Sequence, residues 1–85
     1  MKTKPMIYKN IRYTDYTITD DGQVFDWNFS KTWLKQYTDR HGRPYVQIKL
    51  IDRVTSQVKR KNIYLDNAMK ENWPDVEYNP NNEKL

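Results

Sequence analysis

Arg43-Pro44-Tyr45-Val46-Gln47-Ile48-Lys49-Leu50-Ile51 is the stretch whose pattern decides the fold class. Val46, Ile48 and Leu50 fall at alternate positions and point one way; Arg43, Tyr45, Gln47 and Lys49 point the other. This period of two predicts a strand with one buried and one solvated face. A slip of one residue would exchange the faces, so burial fixes the pairing. Pro44 has no N–H and belongs at a strand start or on an edge. Before it, Asp39-Arg40-His41-Gly42 is a turn; after it, Asp52 to Ser56 connects to a returning strand over Gln57–Tyr64.

Further out, Tyr16-Thr17-Ile18-Thr19 and Gln23-Val24-Phe25-Asp26-Trp27 are β-rich and flank Asp20-Asp21-Gly22, which predicts a hairpin. The two aspartates have the residue type of a metal or acid/base pair, but the following glycine assigns them to the turn. Thr32 to Tyr37 is a further strand. From Leu65 the period changes: Leu65, Ala68, Met69 and Trp73 form one helical stripe. Asp66 or Asn67 is positioned to cap its start and Pro74 to end it. Residues 1–7 read as a flexible arm and 75–85 as a polar, disordered tail. The expected fold is α+β: one domain over 8–74, a small antiparallel sheet of four or five strands, then one short C-terminal helix. Trp27, Trp33 and Trp73 are assigned to its core, where large rings bury most area. Tyr45 is assigned outward.

At 85 residues the chain holds a thin core, and mean hydropathy is low at −1.11. Twelve aromatic residues argue against disorder. The absence of cysteine excludes a disulfide scaffold, and one histidine argues against structural zinc. No apolar run is long enough to span a bilayer. No cofactor, metal or membrane partner is expected, and the expected location is the cytoplasm of a host cell. The net charge of +4 is unevenly placed. Residues 31–61 hold nine cations against Asp39 and Asp52, a net +7, whereas residues 62–85 are net −3.

Tyr16-Thr17-Ile18-Thr19-Asp20-Asp21-Gly22-Gln23-Val24-Phe25 resembles the Y-x-(I/V)-S-x-x-G-x-V signature of the NUMOD4 motif, which opens many phage and intron-encoded HNH homing endonucleases. Tyr8, Ile11 and Tyr13 are similar to its upstream Trp, Ile and Tyr, with shorter spacing. Trp33-Leu34-Lys35 resembles its x-L-K/R strand, and Gly42–Leu50 its G-Y-x-x-V-x-L strand with two residues inserted. Lys59–Tyr64 and the helix stand where that family has K-x-x-x-V-H-R-L-V-A-x-A-F, but Tyr64-Leu65-Asp66 replaces its His-Arg. In that family a metal-binding catalytic module follows this helix. Here eleven residues follow Pro74, and His41 is the lone histidine, in a turn. The resemblance therefore implies the DNA-contacting module without catalysis.

The expected nucleic-acid-binding residues are Lys35, Arg40, Arg43, Tyr45, Gln47, Lys49, Lys59, Arg60 and Lys61. Cations meet phosphates, and a sheet face can lie on a duplex. Either Lys59 and Lys61 or Arg60 shares the outward face of the central strand. The plain alternative is a solvated basic face. Trp27, Phe29, Trp33, Tyr37 and Tyr45 have the residue type of a single-strand stacking platform. No catalytic residue is expected, because no nucleophile–base pair or ligand set is present. The expected partner is duplex DNA. A host protein such as a polymerase or immune nuclease, bound and redirected, is the alternative. An edge strand in so small a sheet also allows a homodimer.

Overall fold

The computed structural model describes residues 2–78. Along it run β1 (Thr3–Tyr8), β2 (Ile11–Thr19), β3 (Val24–Asp26), β4 (Thr32–Trp33), β5 (Tyr37–Thr38), β6 (Pro44–Ile51), β7 (Val58–Tyr64) and α1 (Leu65–Asn72). The α+β class with a C-terminal helix is as expected. The strands form two antiparallel sheets, ordered β1-β2-β3-β4 and β5-β6-β7, rather than one. The stretch Thr32–Tyr37, expected as a single strand, divides between them. Trp33 pairs with Phe25 and the Leu34 N–H bonds to the Val24 carbonyl, whereas Tyr37 pairs with Tyr45.

Residues 3–7 of the expected flexible arm are strand instead. Residues Thr3–Tyr8 form an edge strand, and Met6 and Tyr8 are buried in the core. Lys9 and Asn10 both adopt positive φ and close a two-residue hairpin to Ile11. The Glu71 carboxylate accepts both of their N–H groups at 2.8 and 2.9 Å. The buried Asn72 amide brackets Ile7, taking its N–H and donating to its carbonyl. Pro5 hid this strand in the sequence; the ladder shifts register between Pro5 and Met6, where a missing N–H is tolerated.

One core joins the three pieces. Tyr13, Tyr16, Ile18 and Val24 come from the first sheet, Val46, Ile48 and Ile63 from the second, and Leu65, Ala68 and Met69 from the helix. Tyr16 also ties the sheets by hydrogen bonds. Its hydroxyl accepts the Lys49 N–H at 2.8 Å and donates to the Lys49 carbonyl at 3.2 Å, beyond the end of β5. Burial pushes the Tyr16 phenol up, outweighing the pull of the Lys49 N–H, so it keeps the proton that it donates to the Lys49 carbonyl. Tyr16→Phe leaves both Lys49 groups without this partner, at a cost of about 1–3 kcal/mol. Urea unfolding measures it; stability equal to the parent would contradict the bridge.

Asp20-Asp21-Gly22 is the hairpin turn, with Ile18 opposite Val24. Gly22 is needed twice: its φ is +89, and a Cβ there would lie 2.6 Å from the Tyr78 ring. Tyr78 packs on the core and the Val76 N–H bonds to the Trp73 carbonyl, so residues 75–78 are ordered against the body rather than part of a loose tail. The remainder of that expected tail, 79–85, lies outside the described residues.

Two further expectations fail. Trp27 and Trp33 are about half exposed. Alternation sends Val24 and Asp26 inward on β3, which leaves Phe25, Trp27 and the opposing Trp33 outside. Tyrosines from β1 and β2 fill the core instead; Trp73, half-buried, packs against it as expected. The helix starts with Tyr64 at its cap position and no side-chain cap, so neither Asp66 nor Asn67 serves there. Asp66 lies inside the first turn, where negative charge suits the helix dipole.

Candidate nucleic-acid interface

The alternation of β6 is as expected: Val46 and Ile48 are fully buried, and Tyr45, Gln47 and Lys49 face out. The register to β7 decides what joins them. Tyr45 pairs with Tyr64, Gln47 with Asn62, and Lys49 with Arg60. Cross-strand partners share a face, so Arg60, Asn62 and Tyr64 lie with Gln47 and Lys49. Lys61 pairs with Ile48 and Lys59 with Leu50, which gives both lysines the parity of the inward face. Of the two alternatives, the register selects Arg60. Lys59 instead reaches the Asp52 carboxylate at 4.0 Å.

Lys35, Gln47, Lys49 and Arg60 come together around a cleft of about 200 Å³, with Leu34 and Tyr37 completing its walls. Tyr37 stacks on Tyr45 at 5.7 Å between ring centres, and Tyr45 contacts Tyr64 at 5.6 Å. The Lys35 ammonium lies 5.6 Å from the Tyr37 ring. The Gln47 amide donates to the Asn62 side-chain oxygen at 3.2 Å, fixing both amides on the surface. Asn62 and Tyr64 were not singled out in the sequence. They follow from the register alone, which the length of the 52–57 turn sets.

Arg43 and Arg40 are placed differently. The Arg43 guanidinium lies 4.2 Å over the Tyr64 ring and donates twice to the Asp66 carboxylate, at 3.2 and 3.1 Å. Burial opposes ionisation of Asp66, but Arg43 and the Asn67 N–H outweigh it and hold the carboxyl below its ordinary value. Asp39 is also held low, chiefly by the Arg43 N–H and then by that of His41. These bonds shape the turn that carries Arg40 and His41, both exposed. Arg43 thus braces the end of the face. Replacing Asp66 by Asn frees its guanidinium, and the salt slope of duplex binding should steepen by up to about 0.9. An unchanged slope would show that Arg43 meets no phosphate even when released.

The ion pairs among the described residues are Arg43–Asp66 and Lys59–Asp52. Lys35, Lys49 and Arg60 therefore have no ion-pair partner among the described residues and line one cleft. Among the described residues, no group of three or more histidine or carboxylate side chains gathers as for a metal ion. No helix there is long and apolar enough to cross a membrane. Comparison of the chain with protein-family models, curated proteins and solved structures found no match.

Proposed function

We propose that the chain is a non-catalytic DNA-binding module that lays the β6–β7 face on a duplex. The observation that supports it best is the trio Lys35, Lys49 and Arg60, convergent beside a row of tyrosines and without an ion-pair partner among the described residues. Such cations displace counterions from phosphates and give affinity without sequence preference. Gln47 and Asn62 present amides between them, the chemistry that reads base edges. The resemblance of residues 8–73 to the NUMOD4 motif points the same way and suggests a phage or mobile-element origin. Titration with a short duplex at low salt should give micromolar or weaker binding that weakens as salt rises; absence of binding would overturn the proposal.

A second reading, contact with a host protein, is favoured by one feature. The exposed Trp27 and Trp33 rings pack on the half-buried Phe25 on the other sheet, with ring centres 4.5 and 5.1 Å from it. Exposed aromatics of this kind anchor protein interfaces. A single stoichiometric partner captured from host lysate, unaffected by nuclease and lost on Trp27→Ala, would support it over DNA binding.

A further inference from the structure

A second cleft, about 350 Å³, lies beside the one on the β6–β7 face. It opens between β2, the loop after β3 and the far end of β6. Three cations from separate segments line it: Arg12 of β2, Lys49 of β6 and Arg53 of the following turn. None has an ion-pair partner among the described residues, and Asp15 is the lone carboxylate of the lining. The Phe29 ring forms part of the wall, with the Lys49 ammonium 5.9 Å from its centre.

The site is held in shape from below. The buried Asp26 carboxylate accepts the N–H groups of Asn28, Phe29 and Ser30 and the Ser30 hydroxyl. The loop presenting Phe29 is therefore fixed before any ligand arrives. On the opposite wall, the Tyr16 hydroxyl clamps the Lys49 backbone. The volume is at the small end for ligand pockets and matches one nucleotide rather than an extended molecule. An aromatic face beside convergent cations is the chemistry of base stacking with phosphate neutralisation. Lys49 lines both this cleft and the smaller one on the β6–β7 face, so the two are adjacent at that residue.

We propose that this cleft takes one unpaired nucleotide, its base on Phe29 and its phosphate among Arg12, Lys49 and Arg53. The proposal rests on the DNA-binding reading and adds to it a place for a strand end or an extruded base beside the bound duplex.

The test compares three ligands: a short blunt duplex, the same duplex with an unpaired thymidine extension, and free thymidine monophosphate. The extension should raise affinity about 10-fold, as one stacked base does. Phe29→Leu, which keeps bulk but removes the π-face, and the surface pair Arg12→Ala/Arg53→Ala should each erase that gain and leave blunt-duplex binding intact. Free nucleotide should shift the NMR amide signals of Asn28 and Lys49; this with no gain from the extension would assign the site to a free nucleotide. If the blunt duplex binds but neither extension nor free nucleotide does anything, the cleft proposal fails and the sheet-face reading stands. A gain that survives in both variants would likewise overturn it. If the extension or free nucleotide binds and the blunt duplex does not, the cleft stands and the sheet-face reading fails. Binding of none of the three overturns both.

Discussion

Lys35→Ala, Lys49→Ala and Arg60→Ala combined in one chain should weaken duplex binding roughly 30- to 100-fold at low salt, or about 0.7–0.9 kcal/mol for each exposed phosphate contact. The comparison that gives this meaning removes the same charge elsewhere. Lys59→Ala, Lys61→Ala and Lys70→Ala also lower the net charge from +4 to +1. Lys59 and Lys61 have the opposite parity on β7, and Lys70 lies on the helix. The control triple is compared at physiological salt as well, where charges farther than about 8 Å from a phosphate are largely screened. At that salt this second triple should lose little. Lys35, Lys49, Lys59, Arg60 and Lys70 are exposed and Lys61 is half-buried, and circular dichroism should show both variants folded. Equal losses would mean that net charge, not the β6–β7 face, sets the affinity.

Asp26→Ala should produce the largest loss of stability among single polar substitutions, about 2–4 kcal/mol. Asp26 is 2% exposed, yet its two oxygens receive four hydrogen bonds from the loop that follows. Burial by itself would raise its pKa. The N–H groups of Phe29, Asn28 and Ser30 and the Ser30 hydroxyl outweigh that and hold the carboxyl below its ordinary value. The sign of the pH effect follows. A carboxyl with a folded pKa below the unfolded value of about 3.9 contributes stability that is fully present above that value. That contribution is lost as the pH falls through the folded pKa. Thermal melts from neutral pH into the acid range should show this loss in the parent, and Asp26→Asn should show less of it. If Asp26→Ala melts with the parent, the loop does not depend on this carboxylate. In that case Phe29 would not be a fixed wall.

The parts of the fold visible in the sequence are those governed by local period. Val46, Ile48 and Leu50 announced β6 and its buried side, and Leu65, Ala68 and Met69 announced the helix. The turn at Asp20-Asp21-Gly22 was legible because glycine there meets a positive-φ requirement. β1 was hidden because its evidence is long-range. Nothing near Pro5 indicates that Glu71 and Asn72, more than sixty positions away, hold its hairpin. Asp26 and the tryptophans inverted a sound prior: a carboxylate went inside because a loop supplied its donors, and the rings it displaced went out. For the site, the basic centre and the outward face of β6 were readable, since both follow from composition and alternation. Which β7 residues join that face depends on the register across the 52–57 turn, and this has no local signature. Arg12 and Arg53 reach the larger cleft only because two sheets meet there, so no sequence pattern groups them with Lys49.

The most direct measurement is the salt dependence of duplex affinity for the parent chain and for the Lys35/Lys49/Arg60 triple alanine variant. Three phosphate contacts predict a slope of log K against log salt of about −2.7, equivalent to a loss of about 40-fold between about 50 and 200 mM. The variant should approach a slope near zero. A parent slope near zero, or an identical slope in the variant, would contradict the placement of DNA on the β6–β7 face.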